Sequence, residues 1–189
     1  MMNSIGGNGL RENNSFVISI AAVSGGGKTT IAKHLHDTLK QSKVFYFDDY
    51  DFNGPDDIIA WVDRGANYDE WDLTPLLNDI EKLLDMSPNY IILDYPFAYN
   101  NHRLGKYIDL SVFIDTPLDI AMARRVYRDF SNSDPKDILN DMDFYIAKGR
   151  KGYIEMLKSI KPTSDLIVDG ALSISEIVEK VSETITRGN

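Results

Sequence analysis

Residues 16–30 read FVISIAAVSGGGKTT: an apolar run, then three glycines, then Lys28-Thr29-Thr30. The run has the length and β-branched content of a buried strand, and the glycines permit backbone conformations closed to other residues. Consecutive amide N–H groups from Ser24 through Gly25, Gly26 and Gly27 to Lys28, Thr29 and Thr30 can then turn inward on phosphate oxygens. The helix that starts there points its positive end at the same anion. Lys28 is the side chain to reach β- and γ-phosphates, and the Thr29 hydroxyl is the one to meet Mg²⁺. The pattern departs from G-x-x-x-x-G-K-[ST] at one place, Ala22 in the first glycine position. The close phosphate contacts come from Gly25 to Thr29, so the reading as a phosphate-binding loop holds.

Outward from this loop, apolar runs alternate with segments of helical period, the pattern of an α/β fold with a parallel sheet. The runs are Phe16–Ala22, Val44–Phe47, Tyr90–Leu93, Leu110–Ile114 and Leu166–Val168. Helices are expected over Thr30–Lys40, Leu73–Asp85, from Thr116-Pro117 onward, from Asp134-Pro135 toward Leu157 across Gly149 and Gly152, and over Ser173–Thr186. Met1 to Asn14 is rich in Gly and Asn and is expected to be a flexible tail outside the core. The remainder, 15–189, is expected to be one domain, with a small lid around 128–136.

Composition narrows the partners. The 189 residues suffice for one sizeable core, and 43% of them are hydrophobic. With 20 basic against 29 acidic side chains the net charge is −9, which argues against a broad footprint for DNA or RNA. No apolar run approaches the roughly 20 residues that span a bilayer, and no signal peptide is evident, so no membrane partner and a cytoplasmic location are expected. Without cysteine, disulfides, thiolate metal sites and a cysteine nucleophile are excluded.

Ligands of open parallel sheets bind at the carboxyl ends of the strands. In this chain those ends carry Ser24–Thr29, Asp48-Asp49-Tyr50-Asp51, Asp94-Tyr95-Pro96, Asp115-Thr116 and Asp169-Gly170. A rim so acidic beside a phosphate loop calls for a cation or for a carboxylate that accepts a proton. Asp48, ending the second run in FYFDDYDF, is placed to bind a substrate hydroxyl, align it and take its proton. The alternative is that Asp48, Asp49 and Asp51 are turn residues. Asp94, after YIIL, is the candidate to hold Mg²⁺ opposite Thr29. Arg124, Arg125 and Arg128 cluster in LDIAMARRVYRDF, where spacing of three and four brings guanidiniums to one helix face, suited to clamping a phosphoryl group. Asp129 is a plausible partner for Arg125, and a solvated basic face is the competing account.

These pieces, in this order, resemble the uridine kinase-like phosphate-loop kinases, a family that includes uridine-cytidine, nicotinamide riboside and bacterial pantothenate kinases. The likeness spans about 16–170 and is carried by AAVSGGGKTT, FDDYDF, NYDEWD, YIILDYPFAY, LSVFIDTP and ARRVYRD. It implies a P-loop NTPase three-layer fold with a five-stranded parallel sheet of order 2-3-1-4-5. It implies ATP and Mg²⁺ as cofactors and a small-molecule acceptor, most readily a ribonucleoside. It makes Asp48 the base, with Tyr50 beside it at the substrate, Asp69 and Arg125 the ribose contacts, and Arg128 the arginine approaching the phosphates, catalytic together with Lys28. A homo-oligomer is left open. Two departures stand out: Leu84 runs through DMSPN almost directly into YIILD, where uridine kinases have a base-reading β-hairpin, and Asp94-Tyr95-Pro96 replaces the usual Glu-Gly. A kinase for a non-nucleoside such as pantothenate, or an ATP-binding regulator without catalysis, are the alternatives. A GTPase or ABC-type ATPase is disfavoured, because neither an Asn/Thr-Lys-x-Asp nor an LSGGQ segment occurs.

Overall fold

A computed structural model describes residues 15–188. The expected tail, 1–14, lies outside the described residues. The strands are β1 (Phe16–Ala21), β2 (Ser42–Tyr46), β3 (Tyr90–Asp94), β4 (Leu110–Asp115) and β5 (Leu166–Asp169). All pair in parallel, in the order β2-β3-β1-β4-β5. The sheet therefore has the topology the resemblance implies.

Alternation along the buried strands divides the core into two layers. Val17, Ala21, Ile91, Leu93 and Phe113 face one side, where they meet α3 (Thr74–Asp85) through Leu76, Leu77, Ile80 and Leu84. Ile18, Ile20, Ile92, Val112, Ile114 and Val168 face the other side. There they pack on α1 (Lys28–Thr38) through Ile31, Ala32 and Leu35, and on α8 (Ile174–Gly188) through Ile177, Val178, Val181 and Ile185. Burying both faces of a sheet requires apolar residues at nearly every strand position, which is why these strands read as continuous runs.

Four short elements escaped the periodicity argument. They are α2 (Ile58–Asp63), the 3₁₀ turns Phe47–Asp49 and Tyr68–Glu70, and α4 (His102–Gly105). All are too short to show a helical period, and tertiary packing stabilises them: Trp61 of α2 is buried edge-on against Tyr68, with ring centroids 5.0 Å apart. Their caps were in the sequence, Asp57 accepting from the Ile59 and Ala60 amides and Asn101 from that of Leu104.

The expected long helix from residue 135 is not uniform. After α5 (Leu118–Phe130), α6 (Pro135–Phe144) passes into a π-helical turn over Tyr145–Gly149, resumes as α7 (Arg150–Glu155), and loosens again into a π turn over Met156–Ile160. A π turn inserts one residue per turn and shifts the side chains that follow around the axis, so the face presented by Tyr153 is not the one a 3.6 period gives. Between α3 and β3 only residues 86–89 intervene, so the base-reading hairpin of uridine kinases has no counterpart at this point.

Candidate active site

The phosphate loop leaves β1 at Ala22 and turns back into α1 at Lys28. Gly25 and Gly27 have φ of 77° and 95°, in the left-handed region. A side chain on Gly25 would collide with the Ala121 carbonyl of α5, so the loop rests on that helix. Gly27 is open, the nearest atom to a Cβ there being an Arg124 guanidinium nitrogen at 3.9 Å. The loop is also held from beneath. The buried Thr116 hydroxyl, just past β4, donates to the Gly26 carbonyl at 2.8 Å. Gly170, just past β5, packs so closely on Thr116 that any side chain would overlap it.

Parallel register brings the acidic strand ends to this loop. Asp94 is aligned with Ile20 and with Tyr46, and is 1% exposed. Its carboxylate forms an ion pair with the Lys28 ammonium. A buried charge without a partner is costly, so each of these groups holds the other until a further charge enters. Tyr46 feels this neighbourhood: burial first, and then the charges of Asp94 and Asp49, raise its phenol above the ordinary value.

The Asp48-Asp49 pair sits in a 3₁₀ turn, which rotates successive side chains by about 120° and so separates them. Asp49 faces Tyr46 and Tyr50, both of whose phenols its charge pushes upward. Asp48 is exposed and faces the lid side: the Arg128 guanidinium is held above its ordinary value, first by hydrogen bonds to Asp129 and in smaller part by the charge of Asp48. Tyr50 donates to Asp79 at 3.2 Å and stacks on Phe52, with centroids 5.4 Å apart and planes 14° from parallel. Burial, then Asp79, pushes its phenol up to about 12.

Asp69 and Arg125 have partners from the protein itself. Asp69 accepts the His102 amide at 2.8 Å and the His102 Nδ1 at 2.6 Å, tying the Tyr68–Glu70 turn to α4. Against the cost of desolvation, these hydrogen bonds hold its carboxyl below the usual range. Arg125 is gripped by Asp141 of α6 in a two-pronged ion pair, Nη1 to Oδ1 at 3.1 Å and Nη2 to Oδ2. The expected Asp129 contact is looser, at 3.9 Å, and Asp129 is taken by Arg128 at 2.6 Å instead. Of the arginine cluster, Arg124 is the member turned to the phosphate loop, with a guanidinium nitrogen 3.4 Å from the Gly170 carbonyl.

A cavity of about 990 Å³ opens beside the loop, with Ser24 as its contribution from the loop. Arg125, Asp141 and Tyr153 line it on one side and α2 on the other, and Lys151 bonds Asp63 across it at 2.7 and 2.9 Å. Sequence reasoning missed Asp141 and Tyr153 as site residues, and placed Thr116 at the rim without its role beneath the loop. Only the fold reveals these roles, since each residue acts through a neighbour 16 to 129 positions away in sequence.

The residues present suit a nucleotide and Mg²⁺. The glycine loop is a cradle that side chains would fill, and Lys28 stands at its end with a carboxylate as placeholder. The Thr29 side chain is exposed at the start of α1. Among the described residues no cluster of three or more His, Cys, Asp or Glu could hold a metal by itself. That is compatible with Mg²⁺, which takes few protein ligands and completes its octahedron with water and phosphate oxygens. No helix of the described residues is long and apolar enough to cross a membrane.

No family model matches the chain. A uridine kinase of Ligilactobacillus salivarius (strain UCC118) is 24% identical over an alignment of 208 positions, gaps included, that covers 94% of this chain and 97% of that protein. The structure is similar to that of the tunicamycin resistance protein of Deinococcus radiodurans, with a TM-score of 0.55 and 17% identity over 90% of this chain and 95% of that one. It is also similar to deoxyadenosine kinase of M. mycoides, with a TM-score of 0.53 and 15% identity over 91% and 100%. The strand order, the phosphate loop and the structural likenesses give the chain the phosphate-loop kinase fold, and in sequence it is similar to uridine kinases.

Proposed function

We propose that this protein is an ATP- and Mg²⁺-dependent kinase that transfers the terminal phosphoryl group to a hydroxyl of a small metabolite, with a ribonucleoside as the leading acceptor. The observation that carries the reading is the glycine loop whose Lys28 meets the buried Asp94 at the carboxyl ends of the strands, where Asp48 also stands. Amides of Ser24–Thr30 hold the phosphates and Lys28 exchanges Asp94 for their charge. Thr29 and Asp94 would hold Mg²⁺, which would supply further neutralisation of the phosphate oxygens. Asp48 orients the acceptor hydroxyl and accepts its proton, while Arg128 and Arg124 meet charge on the transferring group. The transition state of phosphoryl transfer is loose, so positioning and electrostatics are most of what the protein contributes.

One observation favours a second reading, a non-nucleoside acceptor. Both residues expected to bind ribose, Asp69 and Arg125, are engaged by His102 and Asp141, and no base-reading hairpin precedes β3. Comparing kcat/KM for uridine, cytidine, adenosine, nicotinamide riboside, their 2′-deoxy forms and pantothenate separates the two. A site that hydrogen-bonds a hydroxyl rejects the analogue lacking it strongly, so a ribose site discriminates against the deoxy forms. Indifference to the 2′-hydroxyl, or activity confined to pantothenate, refutes the ribonucleoside reading while leaving phosphoryl transfer standing. Absence of turnover with every acceptor refutes the kinase.

A further inference from the structure

Tyr153 has no part in the site as sequence and family resemblance describe it, yet its hydroxyl is brought to the phosphate loop. It is shut off from solvent and faces the Ser24 hydroxyl without forming a hydrogen bond of good geometry. Arg125 Nε, on the same cavity wall, is likewise buried without a partner, although the two terminal nitrogens of that guanidinium are held by Asp141. Folded proteins seldom leave such donors unmatched, and two of them on the wall of one cavity mark the place of a missing acceptor. Both have a hydrogen to donate in this setting. Burial raises the Tyr153 phenol, so it keeps its proton, and a guanidinium has no acceptor at all. The missing group is therefore rich in oxygen lone pairs. Ser24 is the exposed residue by which the loop lines this cavity, so the group arrives there as part of whatever the loop holds.

We infer that Tyr153 is a catalytic residue that donates its hydroxyl hydrogen bond to the terminal phosphoryl group of the bound nucleotide, beside Arg125 Nε, with Asp141 as the residue positioning that arginine. The inference rests on the kinase reading but not on the identity of the acceptor. No bond is made or broken at Tyr153; the phenol keeps its proton throughout.

The test is calorimetric titration of wild type and Tyr153→Phe with Mg²⁺–ADP and with a nonhydrolysable Mg²⁺–ATP analogue. Loss of one hydrogen bond to a charged oxygen is expected to weaken the ATP analogue about tenfold, with ADP unchanged within about twofold. The variant should melt no lower than wild type, because the hydroxyl it removes makes no bond to the protein. Equal weakening of both nucleotides, or an unchanged ratio of the two whether or not the melting temperature falls, overturns the assignment to the terminal phosphoryl group. If wild type binds neither nucleotide, the kinase reading falls and this inference with it. If wild type binds both and Tyr153→Phe binds them identically, the kinase reading stands alone. Asp141→Asn, which weakens the grip on Arg125 at nearly constant shape, should move the same ratio in the same direction.

Discussion

At Lys28 and Asp48 the chemistry depends on single charged atoms. Lys28 pairs with the buried Asp94 in the free protein. Lys28→Ala therefore removes the counter-charge for phosphate and also leaves a buried carboxylate unpaired at the end of β3. The expected outcome is loss of turnover by a factor of about 10² or more, with weakened Mg²⁺–ATP binding by calorimetry. A modest fall in melting temperature should accompany it, since an isolated buried charge destabilises. Asp48→Asn makes a different prediction. The amide keeps the shape but cannot take a proton, so kcat should fall about 10²-fold or more while nucleotide affinity holds. The 3₁₀ turn aims Asp49 at Tyr46 and Tyr50 instead of at the lid, so Asp49→Asn should be mild in a steady-state assay. If Asp49→Asn is the crippled variant, the base has been assigned to the wrong carboxylate.

The helices from α6 to α7 are where local sequence and observed structure part most clearly. Gly149 and Gly152 lie in one continuous apolar-polar pattern, and nothing in that pattern marks a π turn at Tyr145–Gly149. The two glycines differ in surroundings. A Cβ on Gly149 would lie 3.2 Å from the Phe144 ring, whereas one on Gly152 meets nothing within 4 Å. Gly152→Ala should therefore stabilise α7 by about 0.5–1 kcal/mol, the usual gain from restricting an unfolded glycine. In a chain of this size that corresponds to a rise of about 1–4 °C in melting temperature by calorimetry. If kcat falls as the melting temperature rises, the flexibility of α7 is part of the catalytic cycle.

On the scale of the whole molecule, several tyrosines are buried as neutral phenols. Burial pushes Tyr68 up to about 12, and Tyr50 reaches about 12 through burial and Asp79. Burial also raises Tyr99, which donates to Asp165 at 2.6 Å, and Tyr95 among the aromatic rings. A phenol whose folded value lies above its unfolded value near 10 stabilises the native state fully below pH of about 10. That stability is lost as pH rises through the folded value. Thermal stability should accordingly be flat with respect to these groups up to pH of about 9 and fall between about 10 and 12. Tyrosinate absorbance near 295 nm should rise with unfolding instead of ahead of it. Absorbance that titrates at the ordinary value in folded protein would show these phenols to be accessible.

How much of this was legible beforehand depends on whether the relevant interaction is local. The strand from Phe16, the loop from Ser24 to Thr29 and the helix behind it follow from neighbours in sequence, because glycine conformations and apolar runs act over a few residues. The sheet order was read through resemblance and matches the observed pairing. Asp94 was visible as a carboxylate ending a buried strand, but its pairing with Lys28 arises from parallel register across 66 positions. Arg124, Arg125 and Arg128 were visible as a cluster, yet which of them turns to the loop was decided by Asp141 and Asp129, whose carboxylates claim the other two. Thr116 was visible at the strand end, but its bond to Gly26 arises across 90 positions, and Tyr153 beside Ser24 carries no local signal at all. Sequence by itself determined the phosphate loop and the alternation that builds the sheet, because those depend on short-range backbone freedom and burial. Only the tertiary structure decided which charges are free and which are spent on one another, because ion pairs and buried donors are satisfied by whatever the packed chain brings within about 3 Å.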